Sequence, residues 1–121
     1  MSPLVWVGVG LAGGVGAVLR FLVDRAVAGR SASAFPTGTL VVNLSGAAVL
    51  GVLSGLVLPA EVTLLAGTAL IGSYTTFSTW MLETHRLAEE RQFGPAAANI
   101  VAGIVLGLVA TELGRWVAGL L

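Results

Sequence analysis

The sequence has no cysteine and few charged residues, and these absences exclude several classes of protein. Without cysteine the chain forms no disulfide, and thiol chemistry is excluded. Only 10% of the 121 residues are charged, against about 25% in a soluble domain, so the chain cannot cover a water-facing surface. A single histidine, and apolar stretches without paired carboxylates, argue against a hydrolytic enzyme or a metal-ligand cluster.

Basic residues are also scarce, and their distribution is uneven. All six are arginines, the formal net charge is zero, and no basic stripe is available for nucleic acid. The loops after the first and third apolar stretches hold Arg25, Arg30, Arg86 and Arg91, whereas the other side has only Arg115. The positive-inside rule therefore predicts that these two loops are cytoplasmic and that both termini are outside.

Apolar residues make up 56% of the chain and form four stretches long enough to span a bilayer, about 20 residues each. These stretches run from about 4 to 23, 38 to 58, 62 to 82 and 96 to 118. The first lacks a basic n-region and precedes no hydrophilic domain, which favours a permanent helix over a cleaved signal. We predict one membrane domain over residues 1–121, an all-α, multi-pass integral membrane protein with four transmembrane helices.

The third stretch is interrupted by glycine and hydroxyl residues in the run Gly72-Ser73-Tyr74-Thr75-Thr76-Phe77-Ser78-Thr79-Trp80. We predict a helix break near 72–76. Non-helical backbone at membrane depth is tolerated only inside protein or along an aqueous path. Carbonyls freed at such a break can coordinate Na⁺, and the N-termini of half-helices favour anions. The run therefore indicates ion passage or ion binding more than simple anchoring.

Polar side chains in the other stretches have two interpretations each. Arg20 is typical either of a side chain that snorkels to the headgroups or of a cation at an anion-attracting vestibule. Asn43, with Thr39 one helical turn earlier, is either an interhelical contact or a hydrogen-bond donor facing a pore. Phe77 and Trp80 share a helix face, which suits core packing or the presentation of positive ring edges to an anion.

Glycine pairs spaced four apart predict close helix packing in a densely packed bundle, and we expect this bundle to need a second subunit to bury its polar faces. The pairs are Gly10 with Gly14, Gly51 with Gly55, and Gly103 with Gly107.

Four landmarks occur in order along nearly the whole chain. They are Gly13-Gly14-Val15-Gly16-Ala17 with Arg20, Gly38-Thr39-Leu40-Val41-Val42-Asn43 with Gly46 and Gly51, Thr75-Thr76-Phe77-Ser78-Thr79-Trp80 with Glu83, and Leu106-Gly107-Leu108 with Gly114. Together they resemble the Fluc/CrcB family of fluoride channels. The resemblance implies an antiparallel dimer of the dual-topology type with its pore at the subunit interface, in the cell (inner or plasma) membrane. It implies passive fluoride export that protects the cytoplasm.

The resemblance also implies roles for single residues. Asn43 is then the pore amide, and Phe77 and Trp80 hold the two aromatic positions beside the path. The remaining implied positions are the polar-track hydroxyls Ser78 and Thr79, the vestibule arginine Arg20, and the backbone carbonyls of Gly72 and Thr75 for a structural Na⁺ at the dimer interface.

Three departures from the family pattern stand out. Trp80 replaces a phenylalanine, and Ser73-Tyr74 stands where a glycine and an aliphatic residue are common. Gly103 falls where a polar-track serine is expected, and residues 100–110 contain no hydroxyl. We therefore expect one pore wall to be incomplete.

These departures leave two assemblies open, a homodimer and a heterodimer with an oppositely inserted paralogue. One alternative function is a non-conducting or obligate partner subunit of a heteromeric fluoride channel. Another is a small four-helix exporter of cations or drugs, which needs a carboxylate inside the membrane. The first three stretches contain no acid, and Glu112 lies late in the fourth, which argues against the exporter.

Overall fold

The computed structural model describes residues 2–31 and 33–121, and all regular secondary structure in that part of the chain is helical. The elements are α1 (Pro3–Ala28), α2 (Thr37–Gly55), α3 (Ala60–Val62), a π-helix (Thr63–Ile71), α4 (Gly72–Tyr74), α5 (Ser78–Glu89) and α6 (Phe93–Gly119). The elements α3, π-helix and α4 follow one another without a gap. With α5 they form the third segment, so the described chain has four helical segments and the predicted all-α fold is confirmed.

Three of the helices, α1, α2 and α6, are long and apolar enough to cross a membrane. At 1.5 Å per residue, α1 and α6 extend about 40 Å, beyond the roughly 30 Å of a bilayer's hydrocarbon core. Large apolar side chains along them are exposed, for example Leu11 and Leu108. Trp6 and Trp116 are exposed near the chain termini, where indoles commonly mark the membrane–water interface. These features identify a membrane protein.

The α2–α6 pair makes the most extensive helix contact in the chain. At its centre, a Cβ added at Gly51 would collide with the carbonyl oxygen of Thr111, and one at Gly114 would collide with that of Ala48. At Gly55 an added Cβ would lie 2.7 Å from the Cβ of Ala118. Close backbone approach of this kind is how membrane helices associate without a hydrophobic driving force.

Helix α1 packs on the third segment through different glycines from those in its G-x-x-x-G pair. A Cβ at Gly16 would collide with the Leu70 carbonyl, and one at Gly13 would lie 3.2 Å from Ser73 Oγ. Gly10 and Gly14 lie on the other side of α1, where an added Cβ meets no described atom within 4 Å. Within one chain this pair therefore mediates no close packing, and its packing against a second subunit stays a prediction.

The interruption of the third segment overlaps the end of the range 72–76 that the sequence predicts, and it does not include Gly72. Gly72 has helical dihedral angles (φ −60°, ψ −37°), and the helix continues through Tyr74. The non-helical residues are 75–77, and Thr75 is extended (φ −80°, ψ 159°). The break thus consists of two threonines and a phenylalanine, and Gly72 lies outside it. The contacts of this segment with α2 explain its position.

Candidate ion pathway

One face of α2 carries the contacts that shape the third segment. Thr39, Asn43 and Gly46 are spaced four and three residues apart, which places them on the same side of the helix. A Cβ at Gly46 would collide with the Thr75 side chain, so this glycine lets the interruption lie directly against α2.

Asn43 holds the interrupted backbone by a two-way hydrogen-bonded pair. Its Nδ2 donates to the carbonyl oxygen of Thr76 at 2.9 Å, and the Thr76 N–H donates to its Oδ1 at 2.8 Å. The amide side chain thereby replaces helical partners at the point where the helix stops. Since a primary amide has two N–H groups, one of them remains for a further acceptor.

The same contacts leave two carbonyls without their helical donors. The Thr76 N–H donates to Asn43 Oδ1, so it does not form the helical hydrogen bond to the Gly72 carbonyl. The Thr79 N–H donates to Thr76 Oγ1 at 3.2 Å, and not to the Thr75 carbonyl. Gly72 and Thr75 are the residues predicted to offer backbone oxygens to Na⁺.

Hydroxyl groups gather at the start of α5. Thr76 Oγ1 donates to Thr79 Oγ1 at 3.2 Å and lies 3.4 Å from Ser78 Oγ. The first turn of a helix has unpaired N–H groups and a partial positive charge. Ser78 is exposed and Thr79 is half-buried, so this donor-rich end of α5 reaches the surface of the single chain.

A second polar contact joins α2 to the middle of α5. The side chain of Thr39, which is only 2% exposed, donates to a carboxylate oxygen of Glu83. Glu83 in turn lines a cavity of about 320 Å³ together with Asp24, Arg86 and Glu90. This charged cavity lies between α5 and the loop that follows α1. The Thr39–Glu83 contact lies one helical turn of α2 from Asn43.

The two aromatic residues predicted beside the path are in contact with each other. The ring centroids of Phe77 and Trp80 are 5.7 Å apart, and the ring planes meet at 80°, an edge-to-face arrangement. Phe77 is 71% exposed in the single chain, whereas Trp80 is half-buried. The Phe77 ring therefore borders the same surface as Ser78.

The indole of Trp80 lies against α6 in the space that Gly103 leaves open. Its Nε1 donates to the carbonyl oxygen of Asn99 at 2.9 Å, and a Cβ at Gly103 would lie 2.5 Å from its Cζ2. The larger ring fills the place of the missing side chain but does not supply its hydroxyl, so the expectation of an incomplete pore wall stays a prediction. Trp80 and Gly103, two of the departures from the family pattern, are thus in contact with each other.

Asn99 is a residue of this region that the sequence reasoning missed. It is 1% exposed, and its Nδ2 donates to Thr84 Oγ1 at 2.8 Å and to the Trp80 carbonyl at 3.4 Å. The signal was present in the sequence, since an amide inside an apolar stretch needs a hydrogen-bond partner. Its position four residues before Gly103 places both on one face of α6.

Arg20 takes no part in these contacts. It is half-buried on α1, and both interpretations of its role remain predictions. On α6, Arg115 Nη1 lies 3.0 Å from Glu112 Oε1, and both side chains are exposed.

Comparison with known proteins places this arrangement in a family. Residues 7–115 match the family described as CrcB-like protein, Camphor Resistance (CrcB). The chain is 63% identical over 118 residues to "Fluoride-specific ion channel FluC 2" of Mycobacterium tuberculosis (strain ATCC 25618 / H37Rv), covering 98% of this chain and 94% of the relative.

Two further relatives carry similar names. The chain is 66% identical over 116 residues to FluC 2 of Mycolicibacterium paratuberculosis, covering 96% of this chain and 95% of that one. It is 43% identical over 124 residues to FluC 1 of Leifsonia xyli subsp. xyli, with 99% and 90% covered. The relatives' names indicate an ion channel and not an enzyme. With the family match spanning nearly all of its length, the chain belongs to the CrcB family.

Proposed function

We propose that this chain is a subunit of a fluoride-selective channel that gives passive fluoride export across the cell membrane. The relatives' names support fluoride as the ion. The observation that carries the proposal is the interruption at 75–77, which Asn43 holds open beside the N-terminus of α5. Freed backbone groups, hydroxyls and aromatic edges lie together at this interruption.

The donors near the interruption suit a small, tightly hydrated anion. Fluoride enters only where protein donors replace its water, and it leaves only where no single site holds it strongly. The remaining N–H of Asn43, the hydroxyls of Ser78 and Thr79 and the ring edges of Phe77 are all uncharged donors. Thr39 and Glu83 join this path to the charged cavity. Arg20 serves at the vestibule by drawing anions toward the entrance.

The exposure of this region supports a pore at a subunit interface. Phe77, Ser78 and Gly72 are all exposed in the single chain. Lipid does not tolerate interrupted backbone or uncovered hydroxyls, so a second subunit covers them. We propose an antiparallel dimer, and the numbers in the names FluC 1 and FluC 2 hint that a paralogue is available as partner.

The carbonyls of Gly72 and Thr75 suit a hard cation. Both have lost their helical donors, and two subunits together supply four such oxygens. Na⁺ bound there would neutralise the carbonyl dipoles and tie the two subunits together. Within the described residues no three His, Cys, Asp or Glu side chains form a metal-binding group.

The test of the proposed function is fluoride efflux from liposomes that contain only the purified chain, with chloride efflux as the control. Selective release of fluoride is the expected result and establishes a self-sufficient homodimer. Chloride release at a similar rate would refute the fluoride selectivity. Folded, dimeric protein that releases neither ion would refute the homodimeric channel.

The second candidate is an obligate subunit of a heteromeric channel. The arginine asymmetry favours it, because Arg115, the single basic residue on its side, is paired with Glu112. A subunit with one fixed orientation needs an oppositely inserted partner to form an antiparallel dimer. Fluoride efflux that appears only after co-reconstitution with a paralogue of this chain would establish this second candidate in place of the first.

A further inference from the structure

Trp80 poses a difficulty for a path that must not hold fluoride tightly. An indole N–H is a hydrogen-bond donor that phenylalanine does not have. In the structure this N–H donates to the Asn99 carbonyl oxygen at 2.9 Å. The strongest donor of the ring is therefore already used, and the carbon-bound ring edge is what remains for an ion.

Gly103 makes that hydrogen bond possible. A Cβ at this position would lie 2.5 Å from Cζ2, 2.6 Å from Cε2 and 2.8 Å from Nε1 of Trp80. The ring edge that carries the N–H thus rests directly on the bare backbone of α6. Asn99, which supplies the acceptor, is one helical turn earlier on the same face. We name these two residues, Asn99 and Gly103, the indole seat.

The acceptor is itself held in place. The Asn99 side chain is 1% exposed and donates to Thr84 Oγ1 at 2.8 Å, and Thr84 Oγ1 donates to the Trp80 carbonyl at 2.9 Å. These bonds connect α6 to the turn of α5 that carries Trp80. The indole seat is therefore a rigid part of the α5–α6 contact.

We infer that the indole seat is a positioning device that keeps the Trp80 N–H out of the ion pathway, so that the indole presents only carbon-bound edges, as a phenyl ring does. This inference rests on the proposed function. An N–H released toward the path would bind fluoride more strongly and slow its passage. A tryptophan at position 80 consequently requires a glycine at position 103.

The flux test is a pair of variants in liposomes. In Gly103→Ser the added side chain displaces the indole, and we expect fluoride efflux to fall by about tenfold or more, the change that about 1.4 kcal/mol produces. In Trp80→Phe/Gly103→Ser the clash and the N–H are both removed, so efflux should recover to within about threefold of the wild type. Gly107→Ser is the matched control, because a Cβ at Gly107 meets no described atom within 4 Å.

Two results would overturn the inference. Wild-type efflux in Gly103→Ser would show that the seat is not needed. A double variant no faster than Gly103→Ser would show that the two positions are not coupled.

A readout of the N–H itself separates positioning from general damage. Indole N–H signals of ¹⁵N-tryptophan protein can be followed by NMR in detergent, and Trp80 can be assigned by its absence in Trp80→Phe. We expect this signal in the wild type to exchange slowly with D₂O and to remain unmoved by added fluoride. In Gly103→Ser it should exchange fast and shift with fluoride. A wild-type signal that shifts with fluoride would overturn the inference.

The two proposals fail in different ways. A wild-type chain that releases no fluoride refutes the homodimeric channel. Fast D₂O exchange of the wild-type Trp80 N–H refutes the seat, whether or not the chain conducts.

Discussion

Helix α2 contacts two neighbours in contrasting ways. Toward α6 it presents Gly51 and Gly55, and the backbones of the two helices touch. Toward the third segment it presents Thr39 and Asn43, whose side chains hydrogen-bond to α5 and to the interrupted backbone. The α6 contact relies on the absence of side chains, and the contact with the third segment relies on polar side chains that replace helical bonds.

The difference separates scaffold from pathway on a single helix. A contact between glycine backbones leaves no space for an added side chain and contributes no chemical group to the path. A larger residue there should therefore abolish folding. A side-chain contact that holds open a break can be lost while the helices still pack. Substitutions on the two faces should therefore differ in kind, with folding lost on one face and transport lost on the other.

The largest expected effect is on the scaffold face. In Gly51→Leu the added side chain meets the backbone of Thr111, which cannot move aside without separating α2 from α6. We expect a destabilisation above about 3 kcal/mol, enough to prevent recovery of monodisperse protein from detergent. Size-exclusion chromatography after purification measures this.

Gly119→Leu is the matched control for the scaffold face, because a Cβ at Gly119 meets no described atom within 4 Å. It should purify like the wild type. Equal yields of the two variants would contradict the close α2–α6 packing described above.

The next largest effect is on the pathway face. Asn43→Ala removes both hydrogen bonds to Thr76, which is half-buried, so water can replace the lost partners and the net cost is about 1 kcal/mol for each bond. Fluoride efflux should fall roughly thirtyfold, the change that about 2 kcal/mol produces, while the protein still elutes as the wild type does. Efflux from liposomes and the elution volume are measured on the same preparation.

Two companions sharpen the Asn43 result. Ser45→Ala removes a hydroxyl that bonds to the Val42 carbonyl and Tyr74 on a neighbouring side of α2, and it should conduct almost normally. Asn43→Asp keeps an acceptor for the Thr76 N–H but adds a negative charge that repels fluoride. If Asn43→Ala and Ser45→Ala lost the same amount of flux, the amide would have no special part in the path.

The all-helical fold and the membrane class were predictable, because long apolar stretches admit few other solutions. The exact position of the helix break was less predictable. The sequence drew attention to Gly72 as a weak helix former, yet the helix passes through it and stops where Asn43 competes for the Thr76 backbone. That competition joins residues 33 positions apart, and local patterns do not report it.

The candidate site shows the same limit. In the sequence Trp80 and Gly103 are two separate departures from the family pattern. Their mutual contact forms only when α5 and α6 pack together. Asn99 was overlooked although an amide in an apolar helix is a signal in itself. The glycine spacing correctly predicted the face of α2 that packs closely on a neighbour. On α1 the same spacing did not identify the contacting glycines, because these depend on how the helix is rotated about its axis.

A moderate effect is expected where the pathway face meets the cavity. Thr39→Val preserves the shape of a side chain that is 2% exposed but removes its hydrogen bond to Glu83. A loss of about 1 kcal/mol corresponds to roughly fivefold slower fluoride efflux. Thr63→Val is the control, because Thr63 is exposed and its hydroxyl bonds only to the Pro59 carbonyl. Equal efflux from both variants would remove Thr39 from the path.

The smallest effect is expected at Glu112→Gln, and it distinguishes classes of function. Glu112 pairs with Arg115 on an exposed part of α6, and exposed ion pairs contribute about 0–1 kcal/mol. Fluoride efflux should stay within about twofold of the wild type, since no step of the proposed path uses this carboxylate. A proton-coupled cation exporter depends on a carboxylate within the membrane, and Glu112 is the one acid inside the four predicted stretches. Abolished transport in Glu112→Gln would therefore favour the exporter, whereas unchanged fluoride efflux leaves the uncharged donors around Asn43 as the machinery of transport.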